Sequence, residues 1–206
     1  MEIYENENDQ VDAIKRFFAE NGKALAVGVI LGIGALVGWR YWNSHQVDSA
    51  RGSSLQYENT VSAIRADQPQ TLTAAEKFAA DNKNTYGALA SLEVAQQLVD
   101  KNELDKAAAQ LQQGLAAAKD DNLKAVINLR LARIQVQQKK ADEALKTLDS
   151  VKGEGFAAIV ADLRGEALLS KGDKQGARSA WEAGVKSNAS PALSEMLQMK
   201  INNLSV

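Results

Sequence analysis

The chain has 206 residues, with 24 Lys and Arg against 26 Asp and Glu, a net charge of −2. That balance carries no electrostatic footprint for nucleic acid, and the lack of cysteine excludes disulfides and thiol chemistry. A chain rich in Ala, Leu, Gln and Lys, with only two prolines, predicts an all-α protein.

Residues 1–9 are acidic and polar and are expected to be disordered. In 10–20, Val11, Ile14, Phe17 and Phe18 fall at helical spacing beside Lys15 and Arg16. This suits either a helix lying on the inner membrane surface or a cytoplasmic extension of the helix that follows. Residues 24–39 carry no charge. As a helix they measure about 24 Å, short of the roughly 30 Å hydrocarbon core. Lys23 and Arg40 bracket the run and can extend their charges to the headgroups, and Trp39, Tyr41 and Trp42 form an aromatic belt.

The reading is one transmembrane helix over 23–42. A buried helix of a soluble protein would be weakened by the repeated glycines. A cleaved signal peptide would have a short basic leader and an A-x-A-like site after its apolar core; here a long acidic segment precedes the core and aromatic residues follow it. Lys15, Arg16 and Lys23 on one side outnumber Arg40 and Arg51 on the other, which predicts a single-pass type II protein. Residues 1–22 are then a cytoplasmic tail, and 43–206 lie outside the cytoplasm. Gly28 and Gly32, with Ala24 and Ala35, line one helix face, and Gly34 and Gly38 make a second small pair. All four glycines are candidates for close helix packing in the membrane, although glycine is common in such helices for other reasons.

After the anchor, 47–65 reads as an amphipathic helix with Leu55, Val61 and Ile64 on its stripe. A loop at Pro69 and a short helix over 73–80 with Phe78 follow. Then the chain repeats. Three turn segments, 102–107, 139–144 and 172–177, close on Ala107, Ala144 and Ala177. Four residues after each alanine stands a bulky residue, Leu111, Leu148 and Trp181; twelve before each stands a small one, Ala95, Ala132 and Gly165. Ala74 with Phe78 makes the same pair one unit earlier. The small residues let the two helices of a hairpin approach, and the bulky one fills the gap to the next hairpin, so the hairpins stack.

These residues resemble the tetratricopeptide repeat family of helical hairpins. The aromatic that the family places early in each first helix is replaced by Ser91, Asn128 and Ala161. The hairpins are expected at 86–118, 123–151 and 156–186, with 48–80 as a less regular first unit. A capping helix over 190–204 starts at Ser190 and Pro191 and seals the stack with Leu193, Met196, Leu197, Ile201 and Leu204. The fold class is therefore all-α, a single N-terminal transmembrane helix followed by a tetratricopeptide-like solenoid.

No reaction centre emerges. His45 is the one histidine and sits just beyond the anchor. Asp120, Asp121 and Asp149 read as helix starts and turns. The glycines of 152–156 follow a helix rather than a strand and lack phosphate-loop spacing. The expectation is a non-enzyme with no metal, cofactor or small-molecule substrate.

A stacked-hairpin surface offers a concave groove for another polypeptide. Repeat register places Leu89, Leu92, Gln96 and Val99 in it, then Val126, Leu129, Arg133 and Val136, and then Ile159, Asp162, Glu166 and Leu169. The alternative is that these residues bury against neighbouring helices or a longer cap.

The acidic start at 2–10, the anchor with its exit at 38–46, and the segment 164–181 also resemble the YfgM family of ancillary subunits of the bacterial SecYEG translocon. The resemblance spans the whole chain. It implies an inner-membrane protein with a periplasmic domain, partnered by SecYEG and by the membrane-anchored periplasmic chaperone PpiD, that helps pass client polypeptides from the channel to chaperones. The competing class is a scaffold or regulator of envelope stress acting through tail 1–22.

Overall fold

The computed structural model describes residues 7–65, 71–187 and 189–204. Every regular element among them is helical: α1 (Glu7–Arg65), α2 (Thr71–Asp81), α3 (Thr85–Asp100), α4 (Leu104–Ala117), α5 (Asp121–Gln137), α6 (Ala141–Asp149), α7 (Ala157–Ser170) after a 3-10 turn at Glu154–Phe156, α8 (Lys174–Lys186) and α9 (Pro191–Asn203). The expectations for residues 1–6 and for the loop at Pro69 lie outside the described residues. The chain divides into two compact units, Met1–Gly52 and Ser53–Val206.

The first unit consists of the greater part of α1. The helix starts at Glu7, so the expected disorder does not extend to residues 7–9. It also runs unbroken through 10–20, 23–42 and the amphipathic stretch from 47, because no proline interrupts it and an isolated glycine weakens a helix by only about 1 kcal/mol. Residues 10–20 are thus an extension of the apolar helix and not a separate element. α1 is long and apolar enough to cross a membrane. Its apolar residues point outward on all sides, Ile30 at 67% and Leu36 at 70% exposure among them. Covering each such side chain is worth roughly 1.5–3 kcal/mol, and among the described residues of this unit none buries the apolar stretch. The rings of Trp39 and Trp42 lie 5.7 Å apart, tilted by 48°.

The second unit opens with the last residues of α1. Val61 and Ile64 are buried. The Ser53 hydroxyl donates to Asn82 Oδ1 at 3.5 Å and accepts from Asn84 Nδ2 at 3.2 Å, tying this end to the α2–α3 turn. Asn84 also caps α3, accepting from the amides of Tyr86 and Gly87. A Cβ on Gly87 would stand 1.7 Å from the Asn82 carbonyl oxygen, so this turn requires glycine.

From α3 onward the expected hairpins form, α3 on α4, α5 on α6 and α7 on α8, and each packs on the next. Their turns share one geometry. Asn102, Lys139 and Gly172 all take positive φ, at 59°, 60° and 83°. The following amides, of Glu103, Lys140 and Asp173, donate back to Leu98, Gln135 and Leu168. This closure satisfies the carbonyls at the end of each first helix.

The repeat signature forms the core. Ala107, Ala144 and Ala177 have no exposed surface, Leu111 and Leu148 are 1% exposed, and Trp181 is 2% exposed. Ala95, Ala132 and Gly165 are buried opposite them. A Cβ on Gly165 would meet Trp181 Nε1 at 2.1 Å. The earlier pair departs from register: Ala74 is exposed, and Ala75, Phe78 and Ala79 form the buried face of α2. Phe78 therefore fills a position three residues after the alanine and not four. The missing family aromatics are offset by close approach. A Cβ on Gly114 would lie 2.7 Å from that of Ser91, and one on Gly184 would lie 2.9 Å from that of Ala161. Helices without the rings sit nearer each other.

The cap forms as expected. The Ser190 hydroxyl accepts from the Leu193 amide, Leu197 and Ile201 are buried on Trp181, and Leu193, Met196 and Leu204 flank them.

Candidate functional site

The twelve groove positions fall into three sets, the first two of which share Val99. Leu89, Val99 and Val126 pack against the core shared by α3, α4 and α5, while Leu129, Val136 and Ile159 contribute to the core between the second and third hairpins. These six serve mainly to join hairpins, because one hairpin cannot cover its own apolar face. The structure does not gather them into one open groove.

Leu92, Gln96, Val99 and Arg133 do converge. They border a cleft of about 270 Å³ between α3 and α5, floored by Ala95, Leu111 and Ile134 and rimmed by Arg130 and Gln137. α5 packs along α7, whereas α3 and α5 leave this opening. Leu92 at 7% and Leu111 at 1% exposure form an apolar bottom, and Gln96, Arg130 and Arg133 are exposed at the lip.

At the third hairpin the cap covers the register. Lys200 of α9 reaches Asp162 Oδ1 at 2.5 Å and Glu166 Oε1 at 2.6 Å, and its ammonium lies 5.7 Å from the Trp181 ring centre. Trp181 Nε1 donates to the Asp162 carbonyl oxygen at 3.1 Å. Burial by itself would lower the Lys200 pKa, but hydrogen bonds and charge attraction from Asp162 and Glu166 outweigh it and hold the group above its ordinary value. Asp162 is only 5% exposed. Glu166 and Leu169 open on a separate hollow beside Lys200, Asn203 and Leu204.

The turn acids behave as local chemistry requires. Asp120 caps α5 through the Leu123 amide at 2.9 Å, Asp121 pairs with Lys124 at 3.1 Å, and Asp149 binds Arg164 at 2.6 Å. Successive turns are also linked edge to edge, Asp105 to Gln138 and Lys140, and Asp142 to Lys171. His45 is exposed on α1. Among the described residues, no three His, Cys, Asp or Glu side chains gather to hold a metal. A Cβ on Gly28, Gly32, Gly34 or Gly38 would meet no atom within 4 Å.

Sequence reasoning missed Arg130, Ile134 and Lys200. Arg130 was readable as the partner of Arg133 three residues later on one helix face. Lys200 was not, because its partners lie on α7, 38 and 34 residues away.

Residues 15–206 match the family profile described as a tetratricopeptide repeat-like domain. The chain is 81% identical to the ancillary SecYEG translocon subunit of Escherichia coli (strain K12) across 100% of both chains. It is 36% identical to the ancillary SecYEG translocon subunit of Haemophilus influenzae, covering 96% of this chain and 97% of that one. A protein with the same name from Neisseria gonorrhoeae is 24% identical over 99% of this chain. No solved structure matches.

Proposed function

This chain belongs to the tetratricopeptide repeat-like family of the ancillary SecYEG translocon subunits, and from that premise we propose that it is a non-enzymatic ancillary subunit of a SecYEG translocon, anchored in the inner membrane by residues 23–42. In this reading 1–22 are cytoplasmic and 43–206 periplasmic. The solenoid holds a membrane-anchored periplasmic chaperone of the PpiD kind and emerging client polypeptides beside the channel, so that clients pass from one to the other. The observation that carries the reading is the full-length identity with the Escherichia coli subunit. The uncovered apolar stretch of α1 supports the anchor, since such a surface is stable only in lipid or against a partner. The three-to-two excess of cations before the stretch supports the orientation.

Copurification in mild detergent tests the reading. The full chain, tagged at its C-terminus, should bring down SecY, SecE, SecG and the chaperone above the level of an unrelated single-pass protein. Recovery no better than that control would refute it. Protease added to spheroplasts should digest the solenoid; protection would overturn the orientation.

A further inference from the structure

The cleft between α3 and α5 has two parts of different chemistry. Its floor is apolar and almost dry, made by Leu92, Ala95, Leu111 and Ile134 at 7%, 2%, 1% and 5% exposure. Its α5 lip carries Arg130 and Arg133, both exposed, three residues apart and so on one helix face. Among the described residues, neither guanidinium has an ion-pair or hydrogen-bond partner within the chain. Lys106, Lys140, Arg164 and Lys171, by contrast, each pair with a carboxylate. At about 270 Å³ the cleft falls below the roughly 300–1,000 Å³ that encloses a drug-sized molecule. It is of a size to receive one or two side chains of something larger.

We propose that this cleft binds an acidic–apolar segment of a partner polypeptide, with a bulky apolar side chain on the Leu92–Ile134 floor and a neighbouring carboxylate on Arg130 and Arg133. The proposal rests on the reading of the solenoid as a protein-binding module and names the chemistry of what it takes. Charge complementarity selects the occupant. Guanidinium groups bind carboxylates through paired N–H donors in a fixed fork, which an ammonium cannot reproduce. The floor adds affinity by removing apolar surface from water, and the arginine pair sets which apolar segments are accepted.

The test uses the full chain in lipid nanodiscs and three short fluorescent peptides, read by anisotropy. One alternates leucine with aspartate; the second has lysine for aspartate; the third has glycine for leucine. The first should bind, and the other two should bind at least about tenfold more weakly. Its affinity should also fall as salt rises. In the double variant Arg130→Glu and Arg133→Glu the preference should invert toward the lysine peptide, which a misfolded protein would not produce. Equal binding of the aspartate and lysine peptides, an unchanged preference in the double variant, or no binding at all would overturn the proposal. A photocrosslinker at Gln96 that captured only a second copy of this chain would overturn it too. Any of these results obtained while translocon components still copurify refutes this inference alone and leaves the proposed function standing.

Discussion

Gly165 and Trp181 show how a single atom sets the spacing of a hairpin. The ring of Trp181 occupies the space where any other residue at 165 would carry its Cβ, and the indole N–H donates to the Asp162 carbonyl. Gly165→Ala should push the ring away, strain the packing and break that bond, lowering stability by about 1–3 kcal/mol. Thermal unfolding followed by circular dichroism would measure the loss, and an unchanged midpoint would contradict the geometry. Lys200 makes a second prediction at this scale. Its pKa is raised in the folded protein, so its contribution is complete below the ordinary lysine value and is lost as pH climbs through the higher folded one. Stability should therefore decline in the alkaline range, above about pH 10. Lys200→Met should remove that part of the decline.

At the scale of elements, the turns and the anchor follow different rules. The three inter-helix turns repeat the same positive-φ residue and the same backward hydrogen bonds, which explains why their sequences align although their side chains differ. Asn, Lys and Gly fill one conformational role; Lys does so against its preference, within a turn closed by the Lys139 and Lys140 amides donating to Val136 and Gln135. In α2 the buried alanine is Ala75 and not Ala74, so the register there differs by one residue. The anchor is uniform and apolar, and its proposed crossing at 23–42 gives a direct test. Ile30→Arg should cost about 2.5–3.5 kcal/mol of insertion free energy at mid-helix. Alkaline extraction of membranes should then release the variant and retain the parent. Equal retention of both would argue against a crossing there.

For the solenoid as a whole, stability is a sum of hairpins and the contacts between them. α9 ends the sum. It covers Trp181 with Leu197 and Ile201 and clamps α7 with Lys200. Truncation after Lys186 should expose that face and unfold the third hairpin first. Hydrogen exchange would show amides of α7 and α8 losing protection while those of α3 and α4 keep theirs. Uniform loss across all hairpins would mean that the second unit behaves as one cooperative block.

The helical class, the apolar stretch, the hairpin boundaries to within a few residues, and the alanines and bulky partners of the core were all legible in the order of residues. Each depends on spacing within one helix or one turn, where the periodicity of the backbone maps position directly onto facing. That order did not separate groove from core: Leu129 and Ile159 share the register of Gln96 and Arg133, yet they join hairpins while the latter border a cleft. Nor did it reveal that Lys200 occupies Asp162 and Glu166. Both follow from the packing of the folded chain, because they depend on how far one helix stands from another and on contacts between residues more than thirty positions apart, where local spacing carries no information.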